Sequence, residues 1–465
     1  MTLHSPDGSA VGGCPVEVFR LGGGPGETGG SGDHDDWWDR LREQHGPVVP
    51  VALESGVTAW LLLGYHENLT VLQSPHLFSR DTRRWREVTE GRVDLSAGRP
   101  ALSWRPNALY ADGSEHARLR APIADSIARL DMGATSQLVR QIADDLVDAF
   151  VARGSADLIA EYADPLPVLV INRLCGLPDS YGRMLGDLTS IIFGEDPREA
   201  EDAVIRLQQY FAGLVVRKRK RPGADLVSWM LEHPAGLTEH EVAHQAALIN
   251  NSSHQTTTHL IGNTMRTLLT DTRIRSAYAD ARISAQDLLD HVMWTDTPFQ
   301  ILPARFALQN MLLGNARVRA GDALLIGFHA AHRDPAVYKG RREETGVAGG
   351  SRAHLMFGAG PHACPARDLA RMIAATAVEV LNERLSGLRS AVAPEELRSV
   401  RSPFVRGVEA LPVLFRPGNA VGEKAKGEGT GTAGRNGTSG HEKESEDDIL
   451  GRLLRWWRGS GRGRR

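Results

Sequence analysis

Apolar residues recur at helical spacing along most of this chain and gather into strand-like Val and Leu runs in only a few places. From Gln137 to about Gln209, Ile142, Leu146 and Phe150, then Leu166, Val168, Ile171 and Leu174, form stripes of the kind a helix buries, with Cys175 among them as a core residue. Upstream, Asp35 to Gln44 predicts a short helix, and Pro47 to Leu53 and Thr58 to Tyr65 predict strands on either side of Glu54-Ser55-Gly56. Arg83 to Tyr110 is basic and punctuated by Gly and Pro, as a loop with short helical turns is. A helix opens within Asp112 to Arg120, with Ser114 as its cap and with His116 and Arg120, four apart, on one face. Lys218 to Arg221 reads as a solvated helix end.

The longest periodic segment begins at a capping box, Thr238 with Glu241, and runs to about Leu269. At the usual rise its roughly 30 residues span about 45 Å, enough to cross a whole domain. Its middle, Asn250 to Thr258, reads NNSSHQTTT where a core helix should be apolar. Buried polar groups need partners, and water or a ligand would supply them. After Pro417 the composition turns to Gly, Lys, Glu and Thr as far as Asp448, a linker pattern. The last stretch, residues 449–465, sets Ile449, Leu450, Leu453, Leu454 and Trp457 at helical spacing beside six arginines. Such a basic amphipathic tail suits an anionic membrane surface or a protein partner.

At 465 residues, 41% hydrophobic and 24% charged, the chain has enough apolar surface for a large core. Residues 1–35 are too rich in Gly to order themselves and are expected to be a flexible arm. A net charge of −3 argues against nucleic acid as a partner. The three cysteines, Cys14, Cys175 and Cys364, form no CxxC pair and imply neither a disulfide framework nor a zinc cluster. The first residues lack a signal-peptide pattern and no run is long enough to span a bilayer, so the body is expected in the cytoplasm.

The chemistry concentrates in Phe357 to Arg371, FGAGPHACPARDLAR. Gly358 and Gly360 allow a tight turn and close approach to something flat, and Pro361 stiffens it. Cys364 precedes Ala366, Leu369, Ala370 and Arg371, a run with helical spacing, so its sulfur is expected at a helix N-terminus, held as thiolate. A thiolate fixed in a loop below an open face suits an iron ligand. Two other readings of Cys364 are a buried structural thiol and a hydrolase nucleophile; for the latter, no spacing singles out an activating His with Asn or Asp.

This stretch resembles the haem-ligand loop of the cytochrome P-450 superfamily, F-G-x-G-x-H-x-C followed by L-A-R. Phe357, Gly358, Gly360, His362, Cys364, Leu369, Ala370 and Arg371 match in place, with Ala366 where the family usually has Gly. The resemblance implies a mainly α fold with a minor β region over residues 36–417, and haem b held by Cys364 as its metal ligand. It makes His116 and Arg120 an H-x-x-x-R pair on the haem propionates, with Arg305 contacting a propionate from a strand. It aligns Ser252, Ser253, Gln255 and Thr256 with A-G-x-[D/E]-T, leaving an amide in place of the acid that serves oxygen activation. The family's E-x-x-R helix falls on Leu288 to Gln300, with His291 at the Glu and Trp294 at the Arg; Asp290 has Met293 three residues on. A divergent actinobacterial group also carries Trp there. The missing pair implies a less well anchored cysteine loop, and a short Gly-rich segment from Tyr338 to Ser351 replaces the usual meander. The implied activity is monooxygenation of a hydrophobic small molecule, with electrons from a ferredoxin and its reductase. A haem-binding regulatory or scaffold protein with little turnover, acting in a signalling complex, is the alternative. The location implied is cytoplasmic, with peripheral contact at the inner face of the membrane through the tail.

Overall fold

The computed structural model describes residues 19–20, 33–53, 57–94, 103–192, 197–338, 352–400, 402, 404–421 and 449–459. Most of the expected arm, the segment after Tyr338 and the linker from 422 to 448 therefore lie outside the described residues. What is described is mainly helical, as expected. Helices Met132–Asp148, Pro165–Leu174, Gly182–Ile192, Pro197–Lys220, Glu239–Thr270, Ala285–Thr295 and Arg367–Arg384 enclose one large apolar core. The stripe residues Ile142, Phe150, Leu166, Val168 and Leu174 lie in that core, and so does Cys175, whose thiol burial lifts to about 12.

The minor β region joins the strands near the N-terminus to segments far along the chain. Val48–Ala52 and Thr58–Leu62 pair antiparallel, Val48 opposite Leu62. The sheet then continues through Ala323–Gly327, Ile301–Ala307 and Phe78–Ser79, and on its other edge Phe19 and Arg20 of the arm pair with Val51 and Ala52. One face buries Val49, Val51, Leu61 and Phe306, and the other buries Val48, Trp60, Leu62 and Ile326. A sheet covered on both faces needs continuous apolar runs, which is why Trp60 to Leu63 shows no alternation. The register of Ile301–Ala307 against Ala323–Gly327 shifts between Leu302 and Arg305. Bulges of this kind re-aim a side chain, and here the one after it is Arg305.

The long helix runs from Glu239 to Thr270, 32 residues, and both halves of its capping box form. Two local expectations are corrected. Helix Gly113–Ala128 is capped in position by Asp112, with Ser114 already inside it, and the Asp112 carboxylate accepts from the backbone N–H of Arg80 at 3.0 Å and from the Ser79 hydroxyl. Lys218 is not a solvated helix-end charge: it is buried, pairs with Asp225 at 2.9 Å and donates to the Gly176 carbonyl at 2.9 Å. The carbonyl of a tight turn and a buried carboxylate outcompete water for that ammonium.

Asp225 also caps helix Leu226–Glu232 by accepting from the Ser228 N–H at 2.9 Å. Asp225→Ala would strand the Lys218 charge as well as removing the cap, and one-sided removal of a buried pair costs about 3–5 kcal/mol. Urea unfolding should show that loss, and the double variant Asp225→Asn/Lys218→Met should recover part of it.

Candidate functional site

The cysteine loop is a turn locked by its own backbone. Gly358 donates to the Leu355 carbonyl at 2.7 Å, Ala363 to Gly360 at 3.0 Å, and the Cys364 N–H to the Phe357 carbonyl at 2.7 Å. Gly358 and Gly360 both have φ of +67°, where an L side chain is strained. A Cβ on Gly360 would also stand 2.4 Å from the Leu72 carbonyl oxygen. The helix begins at Arg367, so Cys364 sits three residues before it, partly exposed. Burial pushes its thiol up, against the Ala366 N–H, Arg120 and Arg367, which pull it down. The helix terminus therefore does not by itself hold a thiolate at neutral pH; binding a metal ion would.

Around this loop the fold gathers basic side chains from distant segments. The rings of His116 and His362 lie 4.0 Å apart, and Arg120 donates to the Ala363 carbonyl. Arg305 is 3% exposed, and burial, with Arg80 nearby, holds its guanidinium well below the ordinary range. Burial likewise depresses His116, and takes His362 to about 3 despite Asp112, whose Oδ1 lies 3.7 Å from His362 Nε2. Arg305 Nη1 and His116 Nε2 are buried without a hydrogen-bond partner. Buried donors of this kind are expected to meet an acceptor, and a set of them beside a cysteine suits a flat anionic group with a metal at its centre. Iron porphyrin is a group of that form.

Sequence reasoning missed Arg80 and Asp112. Arg80 is buried, donates to the carbonyls of Leu109, Pro303 and Ala304, and so braces the strand segment before Arg305. No motif marks either residue; only the meeting of strand, loop and helix reveals them.

The expectation that Asp290 has no cationic partner is also corrected. His291 is half-buried, and burial lowers its imidazole pKa. Trp294 packs in an aromatic group, 4.8 Å from the His332 ring and 6.4 Å from Tyr65. The charge has moved one residue, to Asp290, which is 2% exposed. Its partner is not three residues on but across the core: Arg371 of the helix behind Cys364 grips it with both Nη atoms, Nη2 to Oδ2 at 3.0 Å. His354 Nε2 adds a contact at 3.3 Å and Arg352 one at 3.7 Å. Burial alone would raise the Asp290 pKa, yet His354 and Arg371 together leave it lowered. The His354 ring in turn lies 5.8 Å from Phe357.

Ser253, Gln255 and Thr256 lie together, half-buried, in the middle of the long helix. Their hydroxyls bond back to their own helix, Ser253 to the Asn250 carbonyl at 3.0 Å and Thr256 to Ser252 at 2.7 Å. Between them His254 is fully buried, with Nε2 2.9 Å from the Asp164 carboxylate. Asn250 donates to Thr189 of helix Gly182–Ile192 at 3.3 Å. Much of the polar stretch is thus satisfied by the protein.

A cysteine in a glycine turn, unpartnered buried donors around it and a long polar-centred helix define a haem-thiolate protein. No family model matches the chain. It is, however, 32% identical over 398 residues to the cytochrome P450 monooxygenase PikC of Streptomyces venezuelae, covering 83% of this chain and 92% of the relative. The vitamin D(3) 25-hydroxylase of Pseudonocardia autotrophica is 29% identical, over 80% of this chain and 92% of the relative. Among solved structures, CYP154C4 from Streptomyces sp. W2061 superimposes with a TM-score of 0.76 at 25% identity, covering 86% of this chain and 98% of that one. The chain belongs to the cytochrome P450 superfamily, whose members bind haem, and its curated relatives are monooxygenases.

Two predictions follow from the charges. Asp290→Asn should weaken haem retention and, with carbon monoxide, give a mixture of thiolate and thiol spectra, while Asp290→Glu retains more of the thiolate form; unchanged spectra in Asp290→Asn would remove the anchoring role. The Asp112 carboxyl stands at about 2 against an ordinary 3.8: burial alone would raise it, but the nearby His362 and the hydrogen bonds from Ser79 and the Arg80 N–H outweigh that. A depressed carboxyl stabilises the fold fully above its unfolded pKa, and the gain is lost as pH falls toward the folded one. Asp112→Asn should therefore cost about 2 kcal/mol at pH 7 and little near pH 2, read by urea unfolding at both pH values.

Proposed function

We propose that this chain is a haem b monooxygenase of hydrophobic small molecules, supplied with electrons by a ferredoxin and its reductase, with an altered route for protons. The observation that carries the reading is the pair of buried, unpartnered donors, Arg305 Nη1 and His116 Nε2, beside the Cys364 loop. Iron held by a thiolate supplies the cleavage of dioxygen and the insertion of one oxygen atom. The protein's part is to place the group and manage protons. Cys364 Sγ, carried on the turn at Gly358 and flanked by Phe357, would ligate the iron. His116, Arg120, Arg305 and His362 would hold the propionates. A hydrophobic substrate accords with a neighbour, CYP267B1, solved in complex with myristic acid, of 28% identity and TM-score 0.74.

On the distal side, Ser253 and Thr256 each carry a hydroxyl that can hold a water, and Gln255 orients it without giving up a proton. A carboxylate at that place would accept and release one; an amide has no titratable proton. Loss of a general acid–base group commonly costs about 10² to 10⁴ in rate. Electrons would then leave as peroxide more often than as product.

Cys364→Ser should abolish the thiolate-type Soret band of the reduced carbon monoxide complex. A haem-loaded wild type without that band would overturn the reading. Gln255→Glu should raise the ratio of product formed to electrons consumed, measured with a substrate and a competent ferredoxin. Fully coupled turnover by wild type, unchanged in Gln255→Ala, would show that this position does not govern proton delivery.

A further inference from the structure

The tail helix Ile449–Gly459 lies against the protein's own body, with Leu450, Leu453, Leu454 and Trp457 all buried. These are the residues that the sequence pattern offers to a membrane. Trp457 Nε1 donates to Asp187 of helix Gly182–Ile192 at 2.7 Å, and the Arg206 guanidinium of helix Pro197–Lys220 lies 3.7 Å above the Trp456 ring. At Gly213 an added Cβ would find Ile449 and Leu450 atoms at 3.3 Å as its nearest neighbours. Arg452, Arg455 and Arg458 face outward.

We propose that helices Gly182–Ile192 and Pro197–Lys220 form a docking surface whose occupant is this chain's own C-terminal helix, held there as a releasable strap. An isolated helix of 11 residues is marginal in water, so Ile449–Gly459 is helical because it is docked. The segment tethering it, residues 422–448, is 27 long and Gly-rich. Joined to the body by its own chain, the helix meets its site as an intramolecular partner, so a weak intrinsic contact suffices to dock it. The strap bears on functional ground. Asp187, which holds Trp457, is two residues from Thr189, which accepts from Asn250 at the head of the polar stretch. Gly213 costs helix propensity where it stands, and the close approach of the strap accounts for it.

Hydrogen exchange on the full chain tests this. Wild type should protect residues 449–459 well beyond free-peptide rates. Gly213→Leu, which fills the contact from the body side, and Leu453→Asp, which spoils it from the tail side, should each speed their exchange tenfold or more. Both should also loosen residues 182–192 while leaving the cysteine helix Arg367–Arg384 unchanged. Free-peptide exchange of the tail in wild type, or full protection in both variants, overturns the proposal. Vesicles of anionic lipid supply a second readout. Stronger flotation of Gly213→Leu than of wild type supports a docked helix whose apolar face is masked, and equal flotation refutes the masking.

Discussion

A carboxylate shut away from water must be compensated, and around Asp290 that requirement fixes the architecture of the cysteine site. Arg371 from the helix behind Cys364 neutralises the carboxylate, and His354 from the segment before the loop contacts it. The two partners lie 64 and 81 residues from Asp290 in sequence, so the pair forms only when those segments have converged. Leaving Arg371 out would bury an uncompensated charge, which is among the most costly errors a core can contain. The Trp294 ring fills the neighbouring space with aromatic contacts and carries no charge of its own.

On the other side of the loop the logic is inverted. There, Arg305, His116, Arg120 and His362 are brought together with Asp112 as their close carboxylate, and two of their donor atoms are left without a partner. One half of the site is electrostatically closed and the other half is open. A dianionic planar group, as proposed, would complete the open half, and the closed half would keep the sulfur beneath it in place. The bulge before Arg305 and the bracing by Arg80 are what aim the guanidinium at that gap.

The long helix joins these halves to the outer layer. Its polar middle is satisfied partly by back-bonds to its own carbonyls and partly by Asp164 and Thr189 from neighbouring elements. The same layer carries the tail helix, so a segment remote in sequence reaches within a few residues of the polar stretch.

The sequence by itself determined the chemistry that depends on local spacing. A turn needing positive φ needs glycine, so Gly358 and Gly360 were legible, and with them Cys364. A capping box is four residues long, and both of its bonds formed at Thr238 and Glu241. Helical periodicity gave the core stripes and the His116 and Arg120 face. Tertiary structure alone decided which charges are compensated by partners far along the chain. Asp290 looked idle because its i+3 neighbour is Met293, whereas its cation lies 81 residues away. Lys218 looked solvated because its run is basic, whereas its carboxylate arrives from beyond a turn. The tail suited a membrane surface and a protein partner alike, because apolar periodicity states that a face will be buried and not against what. Backbone conformation and periodicity are properties of a few adjacent residues, whereas desolvating a charge or covering an apolar face is a property of whatever the fold brings beside it.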